Sequence, residues 1–177
     1  MIALIEHAQT ALDARGESHG HRDVPLNATG RLQAVRLGAR MRTADPKPVT
    51  IYHSPRRRAA QTARIAGAIA GIPVRQAPAL TPLHSGSLGA GAAVDVAGRL
   101  ASYFARPQTA IPGGESVAAW RSRHLNFMRR ILASGKPVAM VTHSNVIGSV
   151  QAGPAGALLA LAQPPQSAQV ALTAQGE

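Results

Sequence analysis

The run Ile2-Ala3-Leu4-Ile5-Glu6-His7-Ala8-Gln9-Thr10 begins as pure aliphatic sequence and stops abruptly at a carboxylate followed by an imidazole. Four consecutive apolar residues, Ile2–Ile5, suit a strand covered on both faces rather than one that alternates between core and water. Working outward, Val138–Thr142 repeats the pattern and is followed at once by His143. Val49–Tyr52 and Val74–Ala77 are shorter strand candidates, and Gln169–Thr173 is the weakest. Between them lie helical patterns: Ala28–Arg42, Arg57–Ala70, Val117–Ala133 and Asn145–Ala162, the last interrupted at Gly153-Pro154-Ala155-Gly156. On the first helix, Leu32, Val35, Leu37, Ala39 and Met41 are expected to form a broad apolar face, with Asn27 or Thr29 as cap. Ser54-Pro55 reads as a serine cap with proline at the first helical position, and Ser116 as the cap of the third helix. Strands alternating with helices predict a three-layer α/β/α arrangement, a mostly parallel central sheet flanked by helices on both faces, as one domain over 1–177. Ligands of such sheets bind beyond the carboxyl ends of the strands, where both His7 and His143 fall. Two long loops, Ala8–Leu26 and Pro78–Gly91, are placed to wall that site.

Composition narrows the function classes. Hydrophobic residues make up 45% of the 177 and aromatics 3%, so the core is built from small aliphatic side chains with few anchors, chiefly Trp120, Phe104 and Phe127. Cysteine is absent, which excludes disulfides and thiolate metal sites. The seven histidines show no HExxH spacing, and neither metal dependence nor a cofactor is expected. The opening apolar run is too short for a signal core or a membrane span, so the expectation is a soluble, cytoplasmic protein with no membrane partner. A net charge of +11, mostly arginine, favours anionic partners, or else a solvated basic surface. Nucleic acid is disfavoured because base-stacking aromatics are nearly missing.

Five blocks then carry a resemblance. Leu4–Thr10 resembles the strand-to-loop Arg-His-Gly-x-Thr signature of the histidine phosphatase (phosphoglycerate mutase-like) superfamily. Asp23-Val24-Pro25-Leu26-Asn27-Ala28-Thr29-Gly30 is similar to its D-x-P-L-T-x-x-G segment, and Ser54-Pro55-Arg56-Arg57-Arg58-Ala59-Ala60-Gln61-Thr62-Ala63 to its S-P-x-x-R-A-x-Q-T-A segment. Pro112-Gly113-Gly114-Glu115-Ser116 and Val141-Thr142-His143-Ser144-Asn145-Val146-Ile147 complete the set, in family order.

The resemblance implies a metal-independent phosphoric monoester hydrolase that works through a phosphohistidine. His7 stands at the nucleophile position, while Arg58 and His143 stand where phosphate oxygens are neutralised. The expected partner is a small phosphorylated substrate, or a phosphate-like anion, with Thr10, Asp13, Glu6 and His84 as further contacts. Glu115 reads as a site residue or, preferably, as a bond to a helix start. The chain departs from the pattern at Glu6, where the family has arginine, at Asp13, where it has asparagine, and at Pro82, where it has the glutamate that donates a proton. Ala8 and Ser144 replace glycines. Glu6 or His84 would then supply the missing proton. The alternative is a catalytically impaired binding module in which Glu6 pairs with Arg58 and fills the phosphate pocket.

Overall fold

The computed structural model describes residues 1–20, 22–151, 160–161 and 172–173. Four strands form one parallel sheet: β1 (Ile2–Glu6), β2 (Ile51–His53), β3 (Val74–Gln76) and β4 (Val138–Thr142), in the order β1-β4-β2-β3. Alternation within the two longest strands assigns their side chains to opposite faces. Ile2 and Leu4 of β1 join Val138 and Met140 of β4 in one core cluster, whereas Ala3, Ile5, Ala139 and Val141 join the other. The first face is covered by α3 (Ala93–Ala105) and α4 (Val117–Leu132), with Trp120 and Met128 buried against it. The second is covered by α1 (Ala28–Arg42) and α2 (Arg57–Ala70). The predicted three-layer architecture is therefore the observed one.

The alanine-rich composition has a packing consequence. α2 buries Ala59, Ala60, Ala63, Ala66 and Ala70, and α1 approaches it so closely at Gly38 that a Cβ there would lie 2.7 Å from the Ala66 carbonyl oxygen. Small side chains on both helices permit this approach. Asn27 caps α1 by accepting from Gly30 N at 2.7 Å, and Ser116 caps α4 by accepting from Ala119 N at 3.2 Å.

Several expectations give way. Leu32 and Val35 of α1 are exposed, because the helix turns Gly30, Ala34, Leu37, Gly38 and Met41 inward instead. β2 starts two residues late: the Val49 amide is taken by Pro137 O at 2.8 Å, outside the ladder. α2 begins at Arg57 with Arg56 as its uncapped N-cap, so Ser54 is no cap and its hydroxyl is used elsewhere. α3 lies in a stretch that carried no helix prediction. Phe104, expected as a core anchor, is 38% exposed on that helix, whereas Trp120 is fully buried. The last predicted helix is α5 (Ser144–Gln151); residues 152–159 lie outside the described part, and Ala160–Leu161 forms a strand, β5, antiparallel to β6 (Leu172–Thr173). Only those two residues of the weakest predicted strand, Gln169–Thr173, are described.

Candidate active site

Parallel neighbours in a sheet place their carboxyl ends side by side. β1 and β4 pair through Glu6↔Thr142, and His7 N extends the ladder by donating to Thr142 O at 3.0 Å. His7 and His143, 136 positions apart in the chain, thus leave adjacent strand ends, and their ring centroids lie 5.2 Å apart. On the other side of β4, Ser54 N donates to Val141 O at 3.0 Å, bringing the end of β2 to the same rim. Thr62 ties α2 to the loop that follows His7, since its hydroxyl accepts from Ala8 N at 3.0 Å and donates to Arg58 O at 2.8 Å. Gly30 seats α1 against the same loop; a Cβ on it would collide with the Gln9 carbonyl oxygen.

Arg58 occupies the centre of this rim. Its Nε donates to His7 Nε2 at 3.1 Å and its Nη2 to His143 Nδ1 at 3.2 Å, while its Nη1 is buried without a partner. A guanidinium carries no acceptor, so both imidazole nitrogens must present lone pairs to it. The remaining nitrogens then carry the protons: His7 Nδ1 donates to Ala8 O at 2.9 Å, and His143 Nε2 donates to Ser54 Oγ at 2.9 Å. Burial, followed by the Arg58 charge, pushes His7 down to about 4. Burial, followed by His7, holds His143 well below its ordinary value. Arg58 itself is lowered to about 10, first by burial and then by Arg56, and stays charged at neutral pH. The result is a neutral imidazole whose Nε2 lone pair is held by the Arg58 Nε–H, so that an anion drawing the guanidinium to itself would free that lone pair beside it.

The other expected residues scatter. Asp13 lines the same cleft, which has a volume of about 530 Å³; its Oδ2 accepts from Thr10 N at 2.7 Å and lies 4.0 Å from His7 Nδ1. Thr10 is fully buried and does not line the cleft. Its hydroxyl accepts from Leu12 N and Asp13 N, both at 3.2 Å, and so builds the turn rather than facing a ligand. His84 is not in the cleft either. It lies exposed in a neighbouring depression with Arg56 and Arg123, on the far side of Pro82, which borders both. Glu115 bonds no helix start, the role preferred for it, because Ser116 takes that place; its carboxylate instead accepts from His84 N at 2.9 Å and Arg123 Nη2 at 2.7 Å, tying α4 to the loop at His84.

Glu6 does not pair with Arg58, contrary to the binding-module alternative: the guanidinium's Nε and Nη2 are spent on the two histidines, and the Glu6 carboxylate is hydrogen-bonded to Ser144. Glu6 keeps solvent contact at the rim. Partial desolvation, ahead of repulsion from Asp13, nonetheless pushes its carboxyl above the ordinary range.

Sequence reasoning missed His19. Its Nε2 faces Thr10 Oγ1 at 3.0 Å and Asp13 Oδ1 at 3.7 Å, and its ring lies 5.3 Å from that of His7. The Thr10 oxygen already accepts twice, so its own proton goes to His19, whose Nε2 is an acceptor. Burial, followed by Arg58, lowers His19 to about 4. Only its place in the loop that follows His7 hinted at this position. His7, Asp13 and His19 are also the one group among the described residues whose ligand atoms approach within 4.8 Å, as a metal would need. Coordination by His7 would break either its bond to Ala8 O or the one from Arg58.

The matching family model is that of the histidine phosphatase superfamily (branch 1), over residues 2–174. The chain belongs to that superfamily. Among its relatives, the metal-independent phosphoserine phosphatase of Arabidopsis thaliana is 31% identical over 172 residues, covering 89% of this chain and 72% of that protein. Phosphoglycerate mutase-like protein 4 of the same plant is 32% identical over 159 residues, covering 84% and 68%. A mycobacterial glucosyl-3-phosphoglycerate phosphatase, solved with VO3, superposes with a TM-score of 0.68 at 26% identity, covering 85% of this chain and 79% of that one. No described helix of this superfamily member is long and apolar enough to cross a membrane.

Proposed function

We propose that the chain is a phosphoric monoester hydrolase that transfers the phosphoryl group of a small substrate to His7 Nε2 and then to water. The observation that carries this reading is the Arg58 guanidinium, which holds two acceptor nitrogens in place while its buried Nη1 has no partner. A buried unpaired charged donor is costly unless a ligand completes it, and a phosphate oxygen is such a ligand. In the first step the phosphate oxygens take the Arg58 Nε–H from His7, the freed Nε2 lone pair forms the bond to phosphorus, and the ester oxygen leaves with its electron pair. In the second, water forms the new P–O bond and the N–P electron pair returns to Nε2. Arg58 bears the charge on the non-bridging oxygens throughout, and neutral His143, accepting from its Nη2, holds the guanidinium in place. Relatives that carry the names of phosphatases support the same class of reaction. The test is a panel of phosphate monoesters assayed with the native protein and with His7→Ala. Turnover is expected for at least one ester and is lost, by about a thousandfold or more, in the variant; turnover equal in both proteins would refute the reading.

A further inference from the structure

The departing oxygen of a phosphate ester needs either a proton or a low intrinsic basicity. An in-line displacement places that oxygen on the far side of phosphorus from His7 Nε2. Pro82, which borders the cleft, has no proton to give. The acidic and imidazole groups that do line the cleft are no better placed. Glu17 is held below the ordinary carboxylate range by its hydrogen bonds from Arg15 and then Arg22, so it is ionised. His7 and His19 lie at about 4 and His143 is well below its usual value, so all three are neutral near pH 7. Asp13 accepts the Thr10 N–H and sits beside Nδ1 of His7, the edge of the ring turned away from the attacking nitrogen. Glu6, whose carboxyl is pushed up, is hydrogen-bonded to Ser144 and does not line the cleft, so among the described residues no protonated acid faces the leaving-group side.

The chemistry of another part of the wall is independent of this point. There α3 contributes Val96, Ala97, Leu100 and Phe104, and the neighbouring loop contributes Leu83. Val96 and Leu100 are 7% and 8% exposed, whereas Phe104 keeps 38% of its surface and leans edge-on against Trp120 at 6.3 Å. These side chains give a sugar or a carboxylated alkyl group no hydrogen-bond partner; the polar lining of the cleft comes from other segments, at Ser85, Ser144 and Asn145. An aromatic ring would bury apolar area against them and abut Phe104, whose ring also carries the Arg121 guanidinium 5.7 Å from its centroid.

From these two observations, and resting on the phosphatase reading above, we infer that the preferred substrates are phosphate monoesters of phenolic alcohols. The phenol oxygen leaves as a phenolate carrying the P–O electron pair and takes its proton from solvent, so no acid at position 82 is required. Alkyl esters, whose alkoxides are far more basic, are disfavoured twice, by the missing proton and by the apolar wall.

The experiment compares kcat/KM for a series of substituted aryl phosphates and for phosphoserine, glycerol phosphate and 3-phosphoglycerate, with vanadate inhibition measured in parallel. The expected result is a steep rise in rate as leaving-group basicity falls, and a preference for phenyl phosphate over every alkyl ester of about a hundredfold or more, the contribution of an acid catalyst. Pro82→Glu is expected to raise alkyl-ester turnover at least about tenfold while flattening the dependence on leaving-group basicity. Phe104→Ala is expected to lower kcat/KM for naphthyl phosphate by about fivefold, the loss of an aromatic contact. Alkyl esters cleaved as fast as aryl esters, with a flat dependence in the native protein, would overturn the inference and leave the phosphatase reading standing. Absence of both turnover and vanadate binding would overturn the two together.

Discussion

Two parts of one cleft are built by opposite means. At the sheet end, His7, Arg58, His143 and Ser54 form an unbroken line of hydrogen bonds between 2.9 and 3.2 Å, with every tautomer fixed by its neighbour. Along α3 and Pro82, the cleft-facing side chains offer almost no donor or acceptor and are held by apolar packing. The difference teaches where each half of the reaction is controlled. On the proposed reaction, attack on phosphorus and stabilisation of its oxygens fall to the polar end, which demands fixed geometry. Departure of the alcohol would then fall to the apolar side, where specificity would come from what the wall accepts and from the lack of a proton donor there.

The sharpest way to break the comparison is at its polar end. Arg58→Ala removes both imidazole contacts and the charge that meets the phosphate, and is expected to lower kcat about 10²–10³-fold for aryl and alkyl esters alike. A loss confined to one ester class would show that Arg58 acts on the alcohol rather than on the phosphate.

A smaller effect concerns pH. His7, His19 and His124 are all depressed from 6.5 to about 4, chiefly by burial, and His143 is lowered as well. As pH falls from 6.5 toward 4, the unfolded chain takes up protons that the folded one refuses, so ν_U exceeds ν_N and stability declines with pH across that window. Thermal melts are expected to show a constant Tm above about pH 7 and a progressive fall below 6.5. A Tm independent of pH between those limits would mean that the histidines are not held neutral.

The smallest effect is expected at the rim. Glu6→Arg exchanges a solvent-touched carboxylate for a cation. With each exposed charge contributing up to about 1 kcal/mol, the swap should tighten vanadate binding roughly tenfold. Unchanged or weaker affinity, read by isothermal titration, would place position 6 outside the field of the phosphate.

Much of the polar end was legible in the sequence, because its logic is local to strand ends. Two imidazoles one residue beyond aliphatic runs mark the carboxyl edge of a parallel sheet, and the resemblance of Arg58-Ala59-Ala60-Gln61-Thr62 to the family's R-A-x-Q-T segment singles out Arg58 from its two arginine neighbours. The apolar wall was not legible. The apolar spacing of α3 is present, with Val96, Leu100 and Phe104 four residues apart, but no side-chain cap marks its start and Gly98 lies in its interior, so the stretch reads as loop. His19 escaped notice for a different reason. Its approach to His7 depends on the path of the intervening loop, with a short 3-10 turn at Asp13–Arg15 and left-handed glycines at 16 and 20, and no periodic pattern encodes such a path. His84 failed for a third: proximity in sequence to Pro82 does not carry it over the ridge that Pro82 makes between two depressions.

The most direct test is to mix the protein with an aryl phosphate, quench within the first turnover under alkaline conditions that preserve phosphohistidine, and map the modified peptide by mass spectrometry. A single phosphoryl group on His7, absent from the His7→Ala protein, is the predicted result. Rapid release of the phenol with no phosphoryl group on the protein, or with one on another residue, would contradict the assignment of His7 as the attacking group.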